Sequence, residues 1–101
     1  MLSSKVLGVK KISTALIVDD LLVNRKILQG LLKLEGYQTI TAEDGEQAIQ
    51  QYIEHQPDMI FMDVMMTVMY GYQATTRIKA LAGQKFVPVI FLTALSESDA
   101  R

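Results

Sequence analysis

Three aspartates stand directly after short apolar runs of the sequence. Asp19 and Asp20 follow residues 14–18, and Asp63 follows residues 59–62. Carboxylates that cluster repel one another, so their charge must be neutralised, and a hard divalent cation is the usual way. Mg²⁺ suits such a site because it binds a few carboxylates, retained waters and phosphate oxygens. A carboxylate beside the metal can also attack a phosphoryl group and form an acyl phosphate.

The runs before these aspartates are continuous and apolar, as are residues 87–92. Runs of this kind are typical of strands that are buried on both faces of a parallel sheet. Residues 37–42 form a weaker run that contains threonine and suits a strand nearer the edge. Ligands bind at the carboxyl ends of parallel strands, where the strand order reverses. We therefore expect the three aspartates to meet in one pocket if the strand order is 2-1-3-4.

Three apolar stripes at helical spacing lie between the runs and predict three helices. Gly36 and Gly83 are plausible C-terminal stops, and Asp44 can cap the second helix with Gln47 closing a capping box. The alternation of strands and helices predicts an α/β fold, a doubly wound open parallel sheet with helices on both faces. The stripe residues are Val23, Ile27, Leu28, Leu31, Leu32 and Leu34, then Ala48, Ile49, Tyr52 and Ile53, then Ala74, Ile78 and Leu81.

The composition fits one domain and excludes several kinds of site. The chain has 101 residues and a formal net charge of −1, so nothing indicates a nucleic-acid surface. It has no cysteine and a single histidine, His55, which excludes disulfides and cysteine- or histidine-rich metal clusters. No apolar stretch reaches the roughly 18 residues that span a membrane. We expect a cytoplasmic location, a disordered leader over residues 1–11, and one domain over residues 12–101.

Thr93 ends the fourth run, on the same predicted rim as the aspartates. Its hydroxyl can donate a hydrogen bond to a phosphoryl oxygen. A lone threonine at a strand end usually has only a structural role, and a lone aspartate often follows a strand because loops are polar. The adjacent pair Asp19-Asp20, together with Asp63 and Thr93, favours a phosphoryl site over both of these explanations.

Four short motifs resemble the receiver domain of bacterial response regulators, over about residues 12–101. The motifs are Leu16-Ile17-Val18-Asp19-Asp20, Met62-Asp63-Val64-Met65-Met66, Gly71, and Phe91-Leu92-Thr93-Ala94. Each motif alone is weak, but their order and spacing together are highly specific. The resemblance implies the flavodoxin-like, CheY-like fold of that family.

The resemblance also implies a role for each candidate residue. Asp63 is the expected phosphoacceptor, and Thr93 and the backbone of Ala94 are expected to contact the phosphoryl group. The phosphoryl donor is expected to be a histidine kinase or phosphotransfer protein, or a small acyl phosphate. Such a domain catalyses its own phosphorylation and dephosphorylation and is not a turnover enzyme. The expected ligands of Mg²⁺ are Asp19, Asp20, Asp63 and the backbone carbonyl of Met65.

The sequence departs from the family pattern in three places. Thr67 stands where the family usually has a proline that fixes φ. Tyr70 stands where it usually has an aspartate, a helix cap whose loss costs about 1 kcal/mol. Both changes bear on the shape of the loop over residues 64–70. The family's lysine, which follows a fifth strand, has no counterpart in the 101 residues, and Lys79 and Lys85 cannot be assumed to replace it.

The resemblance implies a fifth strand and a last helix that are not among the 101 residues. The fourth strand would then form an edge, and the first helix would lack a neighbour. An exposed apolar edge is a template for pairing with another chain. We therefore expect marginal stability, or self-association through this edge. Any effector domain would lie beyond residue 101.

Two other functions remain open from the sequence. The missing lysine and the altered loop favour a receiver-like interaction or oligomerisation module without productive phosphorylation. A Mg²⁺-dependent phosphohydrolase with an aspartyl nucleophile is a second alternative. Such enzymes commonly place an Asp-x-Asp pair after the first strand, so the adjacent pair Asp19-Asp20 argues against it. The methionines around Asp63 fit core packing better than a copper site.

Overall fold

The computed structural model describes residues 13–66 and 69–92. The expected leader over residues 1–11 lies outside the described residues, as do Thr67, Thr93 and Ala94. None of the helices in the described ranges is long and apolar enough to cross a membrane. The elements, in chain order, are β1 (Thr14–Val18), α1 (Leu22–Leu34), β2 (Gln38–Ala42), α2 (Gly45–His55), β3 (Met59–Asp63), α3 (Gly71–Ala82) and β4 (Val89–Leu92).

The four strands form one parallel sheet in the order β2-β1-β3-β4, which confirms the predicted order. Leu16 lies opposite both Ile40 and Ile60, and Ile60 lies opposite Val89. The chain moves outward from β1 to β2 and then returns to place β3 on the other side of β1. The strand order therefore reverses between β1 and β3, and the carboxyl ends of these two strands share one edge of the sheet.

Helices pack on both faces of the sheet, as predicted. On one face α2 and α3 cover the larger core, in which Leu16, Ile60 and Ile78 are fully buried. On the other face α1 packs over β1 and β2, where Ala15 and Ile17 form a smaller core with Leu32. Both cores are needed because parallel strands carry apolar side chains on both faces.

The prediction that β3 is buried on both faces holds fully for one face and in part for the other. Ile60 and Met62 point to the larger core and are fully buried, whereas Phe61 is only half-buried on the α1 side. Ile90 lies opposite Phe61 and is 40% exposed. The reason is that α1 packs over β1 and β2, which leaves this side of β3 and β4 partly open. β4 lies at the edge of the described sheet, as expected.

Only part of the apolar stripe of α1 is buried. Leu32 is buried and Leu28 is half-buried against β1. The contact with two strands is narrower than the stripe, so the remaining stripe residues do not reach the core. Ile27 and Leu31, together with Leu92, line an apolar groove of about 210 Å³. The stripe residues that are more than half exposed are Val23, Ile27, Leu31 and Leu34.

The helix ends follow the sequence signals. The Gln47 N–H donates to Asp44 Oδ1 at 2.8 Å, and the Glu43 N–H donates to Gln47 Oε1 at 3.0 Å. The return bond of the predicted capping box therefore reaches one residue further back than expected. Gly36 and Gly83 follow α1 and α3 with φ values of 94° and 64°. This left-handed region favours glycine and explains why both helices end there.

Candidate functional site

β1 leads directly into a buried carboxylate. Asp19 is 2% exposed, and its N–H donates to Ala42 O at 3.2 Å. This bond extends the pairing with β2 by one residue beyond the strand. The Asp19 carboxylate accepts the Leu21 N–H at 2.9 Å. A buried charge requires such partners, and they hold Asp19 at the carboxyl edge of the sheet.

Asp63 is the last residue of β3 and lies opposite Leu92 in the strand register. The Val64 N–H donates to Leu92 O at 3.2 Å, so the pairing with β4 continues past Asp63. The Met65 N–H donates to Asp63 Oδ1, also at 3.2 Å. The chain thus turns back on the Asp63 side chain immediately after the strand, and the Met65 amide orients the carboxylate.

Gly71 allows α3 to begin against the end of β3. Its N–H donates to Val64 O at 2.9 Å. A Cβ at this position would lie 2.3 Å from Asp63 O and 3.0 Å from Val64 Cα. Side-chain carbons do not approach backbone atoms this closely, so a larger residue would displace either Asp63 or the start of α3. Gly71 therefore shapes the site without contributing a side chain to it.

The three aspartates meet at this edge. One carboxylate oxygen from each of Asp19, Asp20 and Asp63 lies within 4.8 Å of the other two. Mg²⁺ binds oxygen ligands at about 2.0–2.1 Å, so two ligands on opposite sides of the ion are about 4 Å apart. The spacing of the three carboxylate oxygens is close to this span. The donor set therefore fits Mg²⁺.

Comparison with known protein sequences shows the family of this chain. A family model described as the response regulator receiver domain matches residues 15–101. This chain belongs to the response regulator receiver domain family. The probable transcriptional regulator ycf27 of Guillardia theta is 40% identical over 82 residues, which are 81% of this chain and 31% of the relative. The receiver domain described here thus spans about a third of the length of that relative.

Solved structures agree with this assignment. The chemotaxis protein CheY4 of Vibrio cholerae is 31% identical with a TM-score of 0.79, over 83% of this chain and 70% of the other. The response regulator TrrA of Thermotoga maritima, solved in complex with Mg²⁺ and BeF, is 32% identical with a TM-score of 0.76, over 88% and 77% of the two chains. The predicted CheY-like fold is therefore confirmed, and the chain is a receiver domain of two-component signalling.

The altered loop of this receiver domain is anchored at its second half. The Tyr70 N–H donates to Gln73 Oε1 at 3.2 Å, which supplies one half of a capping box in place of the usual aspartate cap. Met69 is buried against Gly45, where a Cβ would lie 2.6 Å from Met69 Cβ. The start of α3 is thus fixed although Tyr70 replaces the family's aspartate. Thr67 lies outside the described residues.

The remaining predicted site residues are only partly described. Met65 contributes its amide to Asp63, and its side chain is 63% exposed. Thr93 and Ala94 follow Leu92 directly in the chain and lie outside the described residues. Leu92 is the register partner of Asp63.

The Lys79 side chain makes its contacts away from the three aspartates. Its ammonium group donates to Val87 O and lies 5.9 Å from the centre of the Phe86 ring. Val87 precedes β4, at the amino end of the strand, whereas the aspartates lie at the carboxyl ends. Lys79 therefore does not replace the family's lysine in this structure.

Two residues of α1 that contact Asp19 were missed by the reasoning from sequence. Asn24 Nδ2 lies 3.3 Å from Asp19 Oδ2 and 3.5 Å from Asp19 Oδ1. Arg25 Nη1 donates to Asp19 O at 2.7 Å. The available signal was their place in the first turns of a helix that follows the strand after a short connection. Polar side chains there can reach back to the end of the strand.

Proposed function

We propose that Asp63 of this receiver domain accepts a phosphoryl group from a histidine kinase or phosphotransfer protein, with Mg²⁺ as the cofactor. The observation that carries this proposal is the approach of the Asp19, Asp20 and Asp63 carboxylates to within 4.8 Å of one another. These carboxylates and the backbone carbonyl of Met65 would hold the ion. When bound, Mg²⁺ offsets the repulsion between the Asp63 carboxylate and the incoming anion.

The chemistry is a displacement at phosphorus. An oxygen of Asp63 attacks, and the bond between phosphorus and the donor's imidazole nitrogen breaks, with the electron pair left on nitrogen. The hydrogen bond from the Met65 N–H to Asp63 Oδ1 holds the nucleophile in place. In the proposal, Thr93 and the Ala94 backbone contact the phosphoryl oxygens. Attack of water on the acyl phosphate later restores the carboxylate and releases phosphate.

The phosphorylation state then acts as the signal. We propose that it changes the conformation of the domain and so controls an effector domain beyond residue 101, in the cytoplasm. The length of the curated relative, of which this chain covers 31%, is compatible with such an arrangement. Membership of the receiver family argues against the phosphohydrolase alternative.

The proposal is tested by intact-mass measurement after incubation with Mg²⁺ and a small acyl phosphate. We expect one added phosphoryl group, lost when Mg²⁺ is chelated and absent in Asp63→Asn. Asp58→Asn is a matched control, because Asp58 precedes the same strand at its amino end and accepts the Thr14 N–H at 2.8 Å. This variant should be phosphorylated like the wild type.

Failure to gain mass would be informative only for folded protein, so circular dichroism is recorded on each sample. A folded wild type without added mass would refute phosphorylation at Asp63 and favour the interaction module. Equal phosphorylation of Asp63→Asn would place the modification on another residue and refute the assignment of the nucleophile.

A further inference from the structure

We propose that Asn24 is a positioning residue, which sets the orientation of the Asp19 carboxylate for Mg²⁺. Arg25 supports it by holding the peptide group from which that carboxylate extends. This inference rests on the proposed function of the acidic site. It concerns residues of α1 that would not themselves bind the ion.

The Asp19 carboxylate needs more than one donor to have a defined orientation. The terminal torsion of an aspartate is broad and roughly two-fold, so a single hydrogen bond leaves the carboxylate plane loosely defined. The Leu21 N–H binds Oδ1 at 2.9 Å. Asn24 Nδ2 lies across both oxygens, 3.5 Å from Oδ1 and 3.3 Å from Oδ2. This second donor fixes the plane of the carboxylate.

The two oxygens of Asp19 are consequently not equivalent. Oδ1 accepts the backbone N–H of Leu21 as well as the longer contact from Asn24, whereas Oδ2 accepts from the Asn24 amide at 3.3 Å. A carboxylate oxygen has two lone pairs, so Oδ2 keeps acceptor capacity after the Asn24 contact. Oδ2 is therefore the Asp19 oxygen that would be available to hold the cation.

The peptide groups beside Asp19 are fixed on both sides. The Asp19 N–H donates to Ala42 O of β2 at 3.2 Å, and the Asp19 carbonyl accepts from Arg25 Nη1 at 2.7 Å. The buried aspartate therefore extends from an immobilised backbone. Arg25 also places a positive charge near the acidic edge, where it reduces the repulsion among the carboxylates.

Asn24 gives a cleaner test than Arg25. Replacing Arg25 would remove a positive charge that itself repels a cation, so the loss of positioning and the loss of charge would act in opposite directions. Asn24 is neutral, and its replacement alters the orientation of Asp19 without altering the net charge. Residues that orient metal ligands typically change metal affinity by about 10- to 100-fold when they are mutated.

A purely structural role for Asn24 is the competing explanation, because its contact also ties α1 to the end of β1. Gln29 provides the matched control. Its Nε2 donates to Thr39 Oγ1 at 3.0 Å, which ties the same helix to the same sheet. Thr39 lies in the amino half of β2, away from the acidic edge. Like Asn24, Gln29 is half-buried.

The experiment is titration calorimetry with Mg²⁺ alone on the wild type, Asn24→Ala and Gln29→Ala, with thermal unfolding of each apo protein. We expect Asn24→Ala to weaken Mg²⁺ binding by about 10-fold, the lower end of the range for such residues because its contacts are long. Gln29→Ala should bind Mg²⁺ like the wild type. Both variants should unfold at a lower temperature than the wild type.

The possible failures are distinguishable. Folded wild type that does not bind Mg²⁺ would refute the proposed function and this inference with it. Wild-type affinity in Asn24→Ala, beside normal binding by the wild type, would refute the inference alone. If Asn24→Ala does not fold, Asn24→Leu is measured instead, because it fills the space without a donor and carries the same expectation.

Discussion

Replacement of Gly71 by alanine tests how closely α3 must approach the candidate phosphoacceptor. The added Cβ would lie 2.3 Å from Asp63 O, whereas ordinary contact begins at 3.4 Å. The atoms must therefore separate by about 1 Å. The nearest partner is a backbone oxygen of a paired strand and not the end of a flexible side chain, so the shift must move either the start of α3 or Asp63 itself.

The expected cost follows from this geometry. Overpacking of a well-packed interior typically costs about 1–3 kcal/mol, and a clash with backbone belongs at the upper end. A loss of about 3 kcal/mol lowers the melting temperature of a domain of this size by roughly 12 °C or more. A displacement of about 1 Å at a reacting group can lower the rate about 100-fold. We therefore expect slower phosphorylation of Asp63 in the folded fraction as well as lower stability.

Gly30→Ala is the matched control. Gly30 lies inside α1, and a Cβ there would have nothing within 4 Å. Alanine in a helix interior is more favourable than glycine by about 1 kcal/mol, so the same substitution should raise the stability at this position. Thermal unfolding gives the two melting temperatures, and intact mass followed over time with a small acyl phosphate gives the phosphorylation rates.

The two glycines should thus respond with opposite signs. Gly71→Ala with the melting temperature and phosphorylation rate of the wild type would refute the reasoning, because the close approach of α3 to Asp63 would then have no consequence. A loss of stability with an unchanged rate would show that α3 moves and Asp63 stays in place.

Two further predictions concern a helix cap and the exposed apolar surface. Asp44→Ala removes the acceptor of the Gln47 N–H and should lower the free energy of unfolding by about 1 kcal/mol. Urea denaturation measures this loss, and phosphorylation should stay unchanged. Unchanged stability of the variant would contradict the capping role of Asp44. The 101-residue chain should also self-associate through the edge formed by β4 and the α1 groove, and Leu31→Lys should shift it toward monomer in size-exclusion chromatography with light scattering. Ile53→Lys is the control for that experiment. Leu31 and Ile53 are similarly exposed, at 55% and 52%, but Ile53 lies on α2, on the other face of the sheet. A wild-type chain that stays monomeric at all concentrations would contradict the prediction.

The sequence by itself determined the order of the elements and the grouping of three aspartates at one edge of the sheet. Continuous apolar runs and helical stripes are local patterns, because the spacing of side chains is set by the backbone of each element. The aspartates could be assigned to one edge because they follow parallel strands directly, and the ends of such strands are aligned. The sequence also showed that Asp44 and Gly83 delimit helices, since caps depend on neighbouring residues.

The tertiary structure decided the features that depend on contacts between distant segments. The extent to which α1 is buried follows from the width of its contact with β1 and β2, which its own periodicity does not specify. The need for glycine at position 71 arises where α3 meets the backbone of β3. The contacts of Asn24 and Arg25 with Asp19 depend on how α1 lies relative to the end of β1. A polar side chain in the first turn of a helix can either face solvent or contact the end of the preceding strand. Only the tertiary packing decides between these two positions.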